Sequence, residues 1–167
     1  QLESLGHHFR TRSDTEVIVH GYRQWGTGVL QRLNGMFGLA IWDDLAKRLV
    51  VARDPSGIKL IYYRIDGGTV TFGSELRAVL AGLPQRPAID PTAINLFLRY
   101  RYTPSPLTLY EGVRKLAPGT MLGRTNSTST GEDGKPTGLA SSTTMFWIGS
   151  RVFRSMISTS SRSMTML

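Results

Sequence analysis

Three blocks follow one another closely: TRSDTEVIVHGYRQWG at residues 11–26, RLNGMFGLAIWDD at 32–44 and RLVVARDPSGIKLIYY at 48–63. In the first, Ser13-Asp14-Thr15-Glu16 has capping-box spacing, with Ser13 placed to accept from the Glu16 N–H and the Glu16 carboxylate placed to reach back. Ile18, Tyr22 and Trp25 then recur at helical spacing, which predicts a helix to about Trp25, closed by Gly26. A shorter turn over Gly28 to Leu33 leads into Asn34-Gly35. Met36 to Trp42 reads as a buried strand, nearly all apolar, with Gly38 and Ala40 permitting close packing. Asp43-Asp44 marks a turn and Arg48 to Arg53 the returning strand. Asp54-Pro55-Ser56-Gly57 is turn chemistry again, with Pro55 presetting φ.

Working outward, Gln1 to Leu5 reads as the last turns of a helix ending at Gly6, and His8 to Arg12 as a short strand. Lys59 to Arg64 and Thr69 to Gly73 form a hairpin around Asp66-Gly67-Gly68. Ser74 is placed to cap a helix running to about Ala81. Asp90-Pro91 starts another, with Asp90 at the N-cap and Pro91 at the first helical position, running to about Tyr100 and burying Ile94, Phe97 and Leu98. Pro104 and Pro106 then force an extended connection, with short strands expected at Leu107 to Tyr110 and Thr120 to Leu122. A helix, four antiparallel strands and further helices make an α+β layered sheet.

From Arg124 to Leu167 the character changes. Of these 44 residues 18 are Ser or Thr, four of the six Met lie here, and no period of 2 or 3.6 is sustained. The expectation is a disordered, low-order tail, because such a segment cannot offset the backbone entropy of folding, roughly 1–2 kcal/mol per residue.

Composition narrows the function classes. At 167 residues the chain is long enough for one domain with a real core. No run of eighteen apolar residues exists, so no membrane span is expected, and QLESLGHHFRTR has no secretory h-region. The net charge of +8 invites a nucleic-acid reading, but residues 1–123 carry 15 basic and 10 acidic side chains, a surplus spread without runs. No nucleic-acid partner is expected. With zero cysteines, disulfides and cysteine-ligated zinc are excluded.

Candidate chemistry is sparse. His7 and His8 cannot both face one site from an extended strand, and His20 lies at i+4 from Glu16, a spacing met most often in solvated helix pairs. No metal site is expected. Arg53-Asp54 with Gly57 and Lys59 lacks the glycines and the following helix of a phosphate loop. There is no G-x-S-x-G elbow.

The three opening blocks resemble the amino-terminal glutaminase domain of asparagine synthetases, the glutamine-hydrolysing class II amidotransferases. The similarity continues through TFGSELRAVLAG (71–82), AIDPTAINLFLRYRYTPSPLTLYEG (88–112) and VRKLAPGTML (113–122), about three quarters of the chain. It implies an αββα sandwich, of which this chain would supply a part truncated at both ends. Residues 1–83 would form the second half of the amidotransferase domain. Residues 84–123 would lead toward a synthetase domain, and 124–167 would be a tail outside the family pattern, created by a frameshift in the gene or the record.

The resemblance assigns Asp14 to the α-amino group of substrate glutamine, where an ammonium wants a charge-assisted acceptor. A helix-capping role for the same residue is compatible with that. The family's nucleophile is an N-terminal cysteine, absent here, and its oxyanion Asn-Gly pair lies upstream, so Asn34-Gly35 is taken as structural. Family members commonly carry Phe or Leu where this chain has Ser56, and Pro where it has Leu60. The resemblance further implies an asparagine-forming ligase that uses Mg-ATP in its second domain, glutamine as substrate, a cytoplasmic location and a possible homodimer. No cofactor and no catalytic residue are expected within this chain. A non-catalytic glutaminase-like scaffold, or an amidotransferase of a polysaccharide or natural-product pathway, remains the alternative.

Overall fold

The computed structural model describes residues 1–130 and 136–147. The chain divides into two compact units, one formed by Gln1–Ile58 with the described residues from Gly119 onward, the other by residues 59–118.

The first unit starts with a 3-10 turn at Glu3–Leu5, stopped by Gly6 at φ 87° with its N–H on the Glu3 carbonyl. That is the left-handed cap expected of a glycine. Helix α1 spans Asp14–Trp25, followed by a 3-10 stretch at Gly26–Gln31. Strands β1 (Gly38–Asp43) and β2 (Arg48–Arg53) form an antiparallel hairpin in which Gly38 faces Arg53 and Asp43 faces Arg48. β6 (Thr120–Thr130) pairs with β2, and β7 (Pro136–Trp147) pairs with β6, giving the sheet order β1-β2-β6-β7. Alternation along the strands sends Leu39, Ile41, Val50 and Ala52 to one face. There they join Ile18, Val29, Leu30 and Phe37 in a core flanked by Tyr22, Trp25, Leu33 and Met121. Gly21 lets α1 approach, since a Cβ there would sit 2.5 Å from Val29 Cγ2.

In the second unit, β3 (Tyr62–Asp66) and β4 (Thr69–Gly73) form the predicted hairpin, and β5 (Val113–Lys115) adds to the other edge of β3. Helix α2 (Leu76–Ala81) packs on β3 and β4. Gly82 closes it against Thr71, whose Cγ2 would be 3.1 Å from an added Cβ. Helix α3 (Pro91–Tyr100) starts as expected, with the Asp90 carboxylate accepting from the N–H groups of Thr92 and Ala93. It ends at Arg101, a non-glycine residue at φ 65°.

The α+β class with antiparallel sheets and flanking helices therefore holds. Several local expectations do not. His8 to Arg12 forms no strand, because the Glu16 carboxylate takes the Arg10 and Thr11 N–H groups that a neighbouring strand would need. Ser74 is not the cap of α2; Glu75 occupies that position and makes no side-chain capping bond. Leu107 to Tyr110 contributes only isolated bridges, Leu107 to Arg114 and Tyr110 to Ile89. Ile94, Phe97 and Leu98 are not buried: they are 38%, 41% and 71% exposed, and Ala93 is the residue fully buried from α3. Strand pairing also continues past Gly123, over 124–130 and 136–147. The rest of the segment expected to be of low order, 131–135 and 148–167, lies outside the described residues.

Candidate functional site

The block that carries the family resemblance is built around the first turn of α1. Ser13 holds an extended backbone at φ −82°, ψ 137°, and its Oγ accepts from the Thr15 N–H at 3.2 Å. The box is thus half formed, with the hydroxyl serving Thr15 rather than Glu16. The other half is redirected. Glu16 bends back over the preceding loop, where its carboxylate accepts from the Arg10 N–H at 2.7 Å, the Thr11 N–H at 2.7 Å and the Thr11 hydroxyl. The bonds from the Arg10 backbone and the Thr11 hydroxyl hold its carboxyl down to about 2. A carboxylate that accepts several N–H bonds is favoured over its acid.

Asp14 is the first residue of the helix and is exposed. Its one recorded contact is the Thr15 hydroxyl at 3.4 Å, and no ion pair forms on it among the described residues. Its charge is placed at the positive end of the helix dipole, where an acid is stabilised. The geometry therefore leaves this carboxylate available to a cationic group from outside.

Beside it, an open cavity of about 680 Å³ runs between the 8–13 segment and α1, with Arg10, Thr11, Ser13, Glu16, His20 and Arg23 on its walls. Asp14 is not on its wall. Glu16 and His20 do not form the solvated pair that their spacing suggests. The side chains are only 16% and 15% exposed, with Glu16 Oε1 3.6 Å from His20 Nε2. His20 Nδ1 lies 3.1 Å from His7 Nδ1, and His7 Nε2 lies 2.9 Å from Gln24 Oε1. If Gln24 accepts from His7 Nε2, then His20 must donate through Nδ1 to His7. The result is a continuous chain of polar groups from Gln24 to the Arg10 backbone. Phe9 packs edge-on against His20. Sequence reasoning missed this chain, because His7 and Gln24 are 17 residues apart and no spacing rule joins them. Among the described residues no three His, Asp or Glu side chains are arranged to hold a metal ion.

The Arg53-Asp54-Gly57 corner is structural. Asp54 is fully buried; its carboxylate accepts from Phe37 N–H at 3.3 Å and Ile58 N–H at 2.9 Å, and its carbonyl accepts from Gly57 and Gly119. Arg53 donates to the Gly57 carbonyl at 2.6 Å. The corner's donors and acceptors are turned on its own backbone, so it does not fit the phosphates of Mg-ATP. Asn34-Gly35 precedes β1 as a loop, with Gly35 at φ 147°. At the far end of α1, Tyr22 donates to Asp43 at 3.1 Å and accepts from Arg48 at 2.9 Å, fastening the helix to the β1–β2 turn. Burial raises the Tyr22 phenol above its ordinary value.

A helix-covered antiparallel sheet entered through Ser-Asp-Thr-Glu defines a class of domain, and comparison with known proteins agrees. A family model described as a glutamine amidotransferase domain matches residues 1–133. This chain belongs to that family. It is 33% identical over 123 residues to asparagine synthetase (glutamine-hydrolyzing) 3 of Bacillus subtilis, covering 73% of this chain and 20% of that protein. It is 36% identical over 122 residues to asparagine synthetase (glutamine-hydrolyzing) 1 of the same organism, covering 73% and 19%. Amidase chry2 of Gibberella zeae is 30% identical over 115 residues, covering 68% and 16%. The chain spans about a fifth of the length of these relatives. The matched family region reaches ten residues beyond Gly123, where the sequence pattern was expected to stop. No helix among the described residues is long and apolar enough to cross a membrane.

Proposed function

We propose that this chain is the glutamine-binding part of an asparagine synthetase-like amidotransferase, and that Asp14 receives the α-ammonium of glutamine. The observation that carries this reading is the Ser13–Glu16 turn. It presents an exposed, unpaired carboxylate at a helix N-terminus, on a loop fixed by the Glu16 bonds to Arg10 and Thr11. An ammonium meeting such a carboxylate gains a charge-assisted hydrogen bond, and the fixed loop means little ordering entropy is lost on binding. In the whole enzyme the released ammonia would be used to make asparagine from aspartate, with Mg-ATP held in a separate synthetase domain. With no thiol in the sequence, this chain by itself would not hydrolyse glutamine through a cysteine nucleophile. The similarity to a protein named an amidase supports a second reading, in which the ammonia serves an acceptor other than aspartate.

The test is a chimera in which residues 1–123 replace the matching segment of asparagine synthetase 1 of Bacillus subtilis. Asparagine formation is then measured with glutamine and with free ammonia. The expected result is activity with both, and for Asp14→Asn a loss confined to the glutamine-dependent reaction. Losing a charge-assisted bond of about 1.5–3 kcal/mol corresponds to roughly 10- to 150-fold. If both activities fall together, Asp14 is a folding residue and the assignment is overturned.

A further inference from the structure

The polar groups along α1 tie two imidazoles to the turn that presents Asp14. His7 Nε2 lies 2.9 Å from Oε1 of Gln24, in the last turn of α1, and His7 Nδ1 lies 3.1 Å from His20 Nδ1. His20 Nε2 is 3.6 Å from Glu16 Oε1. The Glu16 carboxylate accepts from the Arg10 and Thr11 N–H groups and from the Thr11 hydroxyl. Thr11 Oγ1 accepts in turn from the Ser13 N–H at 3.2 Å, and Ser13 Oγ accepts from the Thr15 N–H. The series thus ends at the residue before Asp14.

Two facing Nδ1 atoms at this distance hold one hydrogen between them, because one ring donates and the other accepts through its lone pair. Turning the Gln24 amide reverses the direction of donation and leaves that number unchanged. With both rings protonated, two N–H groups would point at each other, and the contact would have to open. The surroundings do not help a second proton in. His8 and Arg10 from the preceding segment and Arg23 from α1 line the same cavity as His20, and Glu16 is the one acid on that wall. The Glu16 carboxylate is already shared among three donors of Arg10 and Thr11. Phe9 packs edge-on against His20 and supplies no acceptor.

We infer that His7 and His20 are positioning residues of the glutamine subsite: the single hydrogen they share clasps the 7–13 segment to α1, and protonation of both rings releases it. The inference rests on the assignment of Asp14 to the glutamine ammonium. The clasp joins the start of the segment to the second turn of α1, while Glu16 holds its middle at Arg10 and Thr11 and the Ser13 cap holds its end. A segment held at three points brings Asp14 to the ligand already ordered. Once the first point is lost, the ligand must supply more of the ordering itself, which reads as weaker binding with no change in the chemical step.

The experiment has two arms. In the full 167-residue chain, nitrogen NMR follows the His7 and His20 rings as pH is lowered, with circular dichroism as the folding control. The second proton should enter only as the clasp opens, seen as loss of the nuclear Overhauser contact between Phe9 and His20, whose ring centroids lie 4.8 Å apart. His7→Asn, whose amide oxygen stands as many bonds from the backbone as Nδ1 and takes no proton, should keep that contact throughout. His7→Phe has no acceptor there and should lack it at every pH. In the chimera, His7→Phe should raise KM for glutamine roughly 2- to 10-fold, the equivalent of one net hydrogen bond, with kcat and ammonia-dependent synthesis unchanged. His7→Asn should restore the wild-type KM. Two protons on the pair with the Phe9–His20 contact intact overturn the clasp, and an unchanged KM in His7→Phe overturns the positioning role. Should His7→Phe lose its folded spectrum, the comparison of wild type with His7→Asn decides the first arm. The Asp14 assignment fails separately, on Asp14→Asn, since the first arm contains no glutamine.

Discussion

Replacing Asp54 with alanine is the most direct test of what holds the first unit together. Two N–H groups lose their acceptor, and they are not equivalent. Phe37 is 0% exposed, so its N–H at 3.3 Å from the carboxylate has no access to water once the acceptor is removed. A buried donor left unsatisfied costs about 1–3 kcal/mol. Ile58 is 56% exposed, and its N–H, 2.9 Å from the other carboxylate oxygen, can rehydrate. Its loss is closer to the net worth of one hydrogen bond, about 1 kcal/mol. Together these give about 2–4 kcal/mol, a large part of the 5–15 kcal/mol that separates typical folded and unfolded states. Asp54→Asn keeps one acceptor oxygen and should lose roughly half as much. Urea unfolding followed by circular dichroism gives the stability change, and hydrogen exchange at the Phe37 and Ile58 amides shows where it arises. Both amides should exchange faster in the alanine variant, Phe37 by the larger factor. A destabilisation below about 0.5 kcal/mol, the usual size for a surface substitution, with unchanged Phe37 exchange, would refute the reasoning.

Two further predictions concern α1. Gly21→Ala puts a Cβ 2.5 Å from Val29 Cγ2, so α1 or the following 3-10 stretch must shift. The expected destabilisation is about 1–3 kcal/mol, as for other overpacked cores, and a thermal midpoint equal to wild type would show the core absorbs the methyl freely. Glu16 has its carboxyl lowered from 4.5 to about 2 by the Arg10 and Thr11 bonds. A lowered acid stabilises the fold fully above its unfolded value, and that contribution is lost as pH falls from 4.5 through 2. In NMR titration the Arg10 and Thr11 amide signals should follow the Glu16 carboxyl with a midpoint near 2 in the wild type and lose that transition in Glu16→Gln. A midpoint near 4.5 would mean that the carboxylate does not grip the loop in solution.

What could be read from the sequence was local. Ser13 ahead of α1, Asp90-Pro91 ahead of α3, the turn at Asp43-Asp44 and the glycine stops at Gly6 and Gly26 each act within four residues, the range over which caps and turns are decided. The Ser13–Glu16 block was legible for the same reason, and with it the candidate site. Strand β5 was missed because Val113–Lys115 is three residues long and owes its existence to pairing with β3, not to its own pattern.

Tertiary structure decided matters that depend on which distant groups arrive together. Glu16 was expected to reach back as the second half of a capping box, but another set of donors, the Arg10 and Thr11 N–H groups, lay within reach in the folded loop. Asp54 looked like an ordinary turn residue, and it became the buried acceptor of Phe37 only because β1 and β2 fold back on each other. His7, His20 and Gln24 met for the same reason. Ile94, Phe97 and Leu98 of α3 were expected to be buried and are exposed, because their spacing carries no information about what covers that face. The sequence thus determined the class of domain and the N-terminal caps of α1 and α3. The three-dimensional packing alone decided which carboxylates are spent on the chain's own backbone and which apolar side chains stay exposed, because both outcomes depend on competition among partners far apart in the chain.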